Sequence, residues 1–113
     1  MRMLKVTILD TELEADLLNP KVVKRYSEEI DKVVEKVNDA EEKGIEERIN
    51  DQCKAVVELI DHIFGEESSK KVLGEETDLL TCLQAYWEIT RIYKDQVIPY
   101  MDGEIAKMRA GED

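Results

Sequence analysis

Residues 3–17, MLKVTILDTELEADL, alternate apolar and polar side chains with period two across both halves. That is the pattern of a half-buried antiparallel strand pair. A two-residue turn at Asp10-Thr11 sets Ile8 opposite Leu13, Val6 opposite Ala15 and Leu4 opposite Leu17, so all six apolar residues share one face. The other face then pairs Thr7 with Glu14 and Lys5 with Asp16. Asp-Thr is a poor two-residue turn, because the favoured geometry needs positive φ at both central positions, and a loop of three to five residues is the alternative. A lone hairpin is marginal in water, so its apolar face must lie on helices. Its two open edges are then free to pair with another chain.

Asn19-Pro20 follows directly and starts a helix, since Asn caps free N–H groups and proline at the first helical position leaves none unpaired. Val22, Val23, Tyr26, Ile30, Val33, Val34 and Val37 continue at 3-4 spacing and predict a helix over 20–42. Gly44 is read as its left-handed cap. Ile45, Ile49, Cys53, Val56, Val57, Ile60, Ile63 and Phe64 predict a second helix over 45–64. Gly65 closes it, and ESSKKVL makes a short helical turn with Val72 and Leu73 dipping into the core. Gly74 lets the chain reverse into a cap at Thr77-Asp78. Leu79, Leu80, Leu83, Tyr86, Trp87, Thr90, Tyr93 and Val97 predict a third long helix over 78–97, with Tyr86, Trp87 and Tyr93 in the core. Pro99 removes a hydrogen bond and clashes with the carbonyl of Asp95, which favours a break and a short last helix over 100–109. The fold class is therefore α+β, mostly α: an N-terminal antiparallel hairpin packed on three to four helices, in a single domain of residues 1–113.

The chain has 113 residues, 42% hydrophobic and 38% charged, with 27 acids against 16 bases and a net charge of −11. Residues 45–113 carry 16 of those acids against 8 bases. Such a charge repels nucleic-acid phosphates and anionic membranes and suits a basic protein surface. No run approaches the roughly 18 apolar residues of a membrane span, and the N-terminus lacks the apolar core of a signal peptide. A cytoplasmic location is expected, with Cys53 and Cys82 as buried free thiols.

The residue pattern argues against each chemistry it brings to mind. Gly65 and Gly74 lie too far apart for a phosphate loop, Glu75 stands where its lysine belongs, and Glu66, Glu67 and Glu76 would repel a phosphate. His62 shares a face with Glu58 but has no third metal ligand, so an ordinary surface pair is expected. An EF-hand centred on Gly44 would put Lys43 among its ligands and Asn50 where the bidentate Glu belongs. Glu58-x-x-Asp61 and Asp39-x-x-Glu42 match only loosely the paired carboxylates with which all-helical nucleotide pyrophosphohydrolases bind Mg²⁺. Ser68 and Ser69 have no base nearby in sequence. No catalytic, cofactor-binding or metal-binding residue is assigned, and no cofactor is expected.

Asn19-Pro20-Lys21-Val22-Val23, Gln52-Cys53-x-Ala55-Val56, Asp61-x-x-Phe64-Gly65, Lys70-Lys71-Val72-x-Gly74 and Cys82-Leu83-x-Ala85 resemble a family of small uncharacterised phage and prophage proteins of Gram-positive bacteria. The resemblance runs over roughly residues 4–90 and rests on packing and turn residues. It implies a tail assembly chaperone or minor structural protein in a tail gene cluster, located in the host cytoplasm or on the virion. The implied partners are other phage structural proteins or a second copy of the chain, with no nucleic acid and no membrane. The function expected is thus non-enzymatic protein binding in virion or tail assembly. The alternatives are an acidic, DNA-mimicking inhibitor of a host nuclease or defence complex and, third, a Mg²⁺-dependent pyrophosphohydrolase.

Overall fold

The computed structural model describes residues 1–112 and has the expected class, a hairpin on a set of helices. Strands β1 (Leu4–Ile8) and β2 (Thr11–Ala15) pair antiparallel, with Leu4 opposite Ala15, Val6 opposite Leu13 and Ile8 opposite Thr11. The expected register is therefore wrong by two residues on β2, and the turn is Leu9-Asp10, with φ of 47° and 63°. Turning there places positive φ on Leu9 and Asp10 and spares β-branched Thr11, for which it would cost more. An even shift preserves which side chains face inward, so Leu4, Val6, Ile8, Leu13, Ala15 and Leu17 are all buried. It does change the outer face. Lys5 stands opposite Glu14 rather than Asp16, 4.0 Å from it and 3.7 Å from Glu12. All three are well exposed, so these pairs contribute little.

The edges of the hairpin differ. Along β1, the Gln96 side chain accepts from the Thr7 N–H (2.7 Å) and donates to the Thr7 carbonyl (2.9 Å), while Glu88 accepts from the Leu9 N–H (3.0 Å). A side-chain amide thus stands in for a third strand, and the expectation of two open edges fails for β1. Among the described residues, no hydrogen bond from outside the hairpin reaches the backbone of Glu12 or Glu14 on β2.

Helix α1 (Pro20–Asn38) starts where expected, with the Asn19 side chain accepting from the Lys21 N–H at 3.0 Å. Its last turn narrows to a 3-10 turn over Asp39–Glu42. Gly44 is not left-handed, as expected, but extended (φ −66°, ψ 159°), because the 3-10 turn has already ended α1 and Gly44 begins α2. Helix α2 (Ile45–Phe64) has the predicted limits. Positive φ at Gly65 (106°) and Gly74 (80°) brackets a short helix of 6 residues, α3 (Ser68–Leu73), with Leu73 buried and Val72 half-buried.

The third long helix is not continuous. Helix α4 (Leu79–Thr90) is capped by Asp78, whose carboxylate accepts from the Thr81 N–H (2.8 Å) and hydroxyl (3.0 Å). It tightens at Arg91, whose N–H reaches the Glu88 carbonyl, and then widens into a π turn over Tyr93–Val97. The Ile98 N–H reaches back five residues to the Tyr93 carbonyl, and helix α5 (Ile98–Glu112) runs through Pro99. The expected break is absent because the widened turn over Tyr93–Val97 sits where the ring of Pro99 would otherwise meet the Asp95 carbonyl.

One apolar core joins the hairpin face to Val33 of α1, Val56, Leu59 and Ile60 of α2, Cys82, Ala85 and Ile89 of α4, and Ile92 and Val97. Two tyrosines tie its corners. The Tyr26 hydroxyl donates to the Ile89 carbonyl at 2.7 Å and the Tyr93 hydroxyl to the Leu17 carbonyl at 2.8 Å, with the rings edge to face at 4.9 Å. Helix α5 lies outside this core. The radius of gyration is 16.0 Å and the extents are 62 × 25 × 20 Å. A compact chain of this length would have a radius of roughly 13 Å. The 15 residues of α5 add about 22 Å of rod, enough to account for the elongation.

Candidate interaction surface

Helix α4 is apolar on two sides, and only one of them can face the core. Cys82, Ala85 and Ile89 take the buried side, which leaves Leu80, Leu83 and Trp87 as a second row at i, i+3 and i+7. Leu80 is 73% and Trp87 64% exposed, so the expectation that Trp87 belongs to the core is corrected. Tyr86 and Tyr93 do pack against the core, half-buried. Leu9 completes the surface because positive φ turns it at the hairpin tip, and the Glu88 bond to its N–H fixes that tip against α4. Leu9, Leu80, Leu83, Gln84, Trp87 and Glu88 line a shallow groove of about 510 Å³. Its apolar floor fits the apolar face of another protein segment.

A second bare surface lies on α5. Ile98, Met101, Ile105 and Met108 follow at 3-4-3 spacing and fall on one stripe. Met101 is half-buried; the other three are exposed. The only substantial packing of α5 among the described residues is with the π turn before it.

The polar residues singled out in the sequence lie elsewhere, and most have local structural work. His62 does not pair with Glu58 as expected: its Nδ1 lies 2.9 Å from Glu29 of α1, which also accepts from Lys32 at 3.1 Å. The Glu29 side chain is only 5% exposed, and its second oxygen has no partner. Burial pushes this carboxyl up, but the hydrogen bonds and charges of His62 and Lys32 outweigh that and hold it below the ordinary glutamate value. Periodicity did carry a signal for it. Glu29 is three residues after Tyr26 and four before Val33, an acid on the apolar stripe, and Gln52 on α2 is buried for the same positional reason.

Asp61 accepts from the Ser69 N–H at 2.8 Å and its hydroxyl at 3.1 Å, so the carboxylate anchors the start of α3. Ser68 donates to the Phe64 carbonyl at 3.1 Å. The joint between α2 and α4 is thus held by its own side chains. Glu58 instead borders a cleft with Lys32, Glu35, Lys36, Asp51 and Lys54. Asp39 and Glu42 line a separate acidic hollow with Glu41, Lys43 and Glu47, and the structure does not bring them to Glu58 and Asp61. Among the described residues, no three or more His, Cys, Asp or Glu side chains are grouped to hold a metal ion. Cys82 is buried and Cys53 half-buried, both free; desolvation first, then Cys53, pushes the Cys82 thiol up to about 12. Among the described residues no helix is long and apolar enough to cross a membrane.

No curated protein and no solved structure matches the chain. The sequence pattern of one family does cover it, from the tip of the hairpin to near the end of α5, and by that match over residues 9–109 the chain belongs to DUF6673, a family of unknown function.

Proposed function

We propose that this chain is a non-catalytic protein-binding protein that acts in virion or tail assembly of a phage or prophage, as a chaperone or minor structural component. One observation carries the protein-binding reading: a leucine at 73% and a tryptophan at 64% exposure lie two turns apart on one face of a capped helix, in a groove that the hairpin tip also lines. Large apolar side chains held rigidly in contact with water cost solubility and recur at the centres of protein interfaces, where tryptophan is enriched. The strongly acidic charge of the chain supports a partner whose contact surface is basic around an apolar anchor.

Affinity capture with proteins encoded by neighbouring genes tests this. A neighbour retained by the native chain and lost with Trp87→Ala and Leu80→Ala supports the reading. Retention of no neighbour, or equal retention by the variants, would overturn it. Trp87 is the only tryptophan, so its emission must also shift to the blue when the identified partner is added.

A further inference from the structure

Helix α5 has little to hold it together. It contains Pro99, Gly103 and Gly111, and a Cβ added at either glycine would meet nothing within 4 Å, so neither is there for close packing. Glycine in an exposed helix costs about 1 kcal/mol relative to alanine, and isolated helices of about 15 residues are marginal in water. A weak helix with a bare stripe is stabilised by whatever covers that stripe.

Its sequence specifies the cover. With Ile98 and Ile105 at the first position of a heptad and Met101 and Met108 at the fourth, β-branched residues occupy the position where they favour two-stranded pairing. The flanking charges then decide between orientations. Side by side in the same direction and in register, Glu104 of one copy lies next to Arg109 of the other, five residues on, and the symmetry makes the pair twice. In the opposite direction, matching Ile98 to Met108 and Met101 to Ile105 sets Glu104 against Glu104 and Asp102 against Asp102. Glu104 has only an exposed i+3 partner, Lys107 at 3.3 Å. We infer that α5 is a parallel self-pairing helix: two copies of this chain associate through Ile98, Met101, Ile105 and Met108, with Glu104 and Arg109 fixing direction and register. Four side chains bury far less than the roughly 1,200 Å² of a stable interface, so the pairing is weak and depends on concentration. This surface is separate from the α4 groove, so self-pairing and the proposed function can fail independently.

Sedimentation equilibrium of the full chain over about 10 µM to 1 mM, a range set by the weakness of so small an interface, reads the pairing directly. The average mass should rise from 13.1 kDa toward twice that value. Ile105→Asp should hold it at the monomer mass, Arg109→Glu should weaken association about tenfold, and Glu104→Arg with Arg109→Glu should restore it. Mild oxidation of Met108→Cys should give a covalent dimer that the native chain does not form. A native mass of 13.1 kDa at every concentration overturns self-pairing, as does a dimer indifferent to Ile105→Asp. Association without the Met108→Cys cross-link, or without rescue by the charge swap, overturns the parallel direction.

Discussion

Helices α2, of 20 residues, and α5, of 15, have opposite fates. Along α2, Ala55, Val56, Leu59, Ile60 and Ile63 are buried, and the helix packs against α1, α3, α4 and β2. Along α5 no described side chain is fully buried. Both carry an apolar stripe at helical spacing, so periodicity announces that a helix has something to bury without saying whether this chain supplies the cover. In α2 the cover is internal and stability is global. In α5 it is missing from the monomer, and stability there is local and weak.

Four substitutions probe the contrast. Leu59→Ala, at a fully buried site, should destabilise the whole chain by about 2–5 kcal/mol in a denaturant melt with one cooperative transition. Asp61→Ala removes the carboxylate that anchors α3 and should cost about 0.5–2 kcal/mol, with faster hydrogen exchange confined to residues 66–74. Gly103→Ala should stabilise α5 by about 0.5–1 kcal/mol, seen as slower exchange beyond Pro99, and leave the core transition unmoved. Leu80→Ala should change stability by less than about 0.5 kcal/mol, because the side chain is already in water. A large loss there would mean that Leu80 is a core residue and would remove the groove.

Acidity offers a further test on the α1–α2 side. A carboxyl whose folded value lies below its unfolded value adds stability above the unfolded value and loses it as the pH falls through the folded one. For Glu29 that window opens below 4.5. Glu29→Gln should flatten this part of the stability profile, and an unchanged acid limb would mean that the pairing with His62 and Lys32 is energetically idle.

The contrast also marks what is legible in the chain. The limits of α2 follow from its apolar spacing and the glycines that flank it, and the inward residues of the hairpin follow from spacing alone, because a slip of one residue would turn every strand side chain to the wrong face. The hairpin register does not follow, since a slip of two residues preserves the faces; the aversion of Thr11 to positive φ decides it. Spacing assigns Trp87 to the core wrongly because α4 has two apolar rows, and periodicity cannot say which one meets the hairpin. Glu29 and His62 meet across 33 positions, beyond any i,i+4 rule.

The element types, the caps at Asn19 and Asp78, the joint between Gly65 and Gly74 and the acidic charge are properties of the sequence alone, since they depend on local sterics, hydrogen bonding and composition. Which apolar rows are covered, and that Gln96 closes the edge of β1, emerged only with the tertiary structure. So did the π turn that carries the last helix past Pro99 into solvent. Those outcomes depend on which surfaces meet over long separations in the chain, and a local pattern holds no record of its partner.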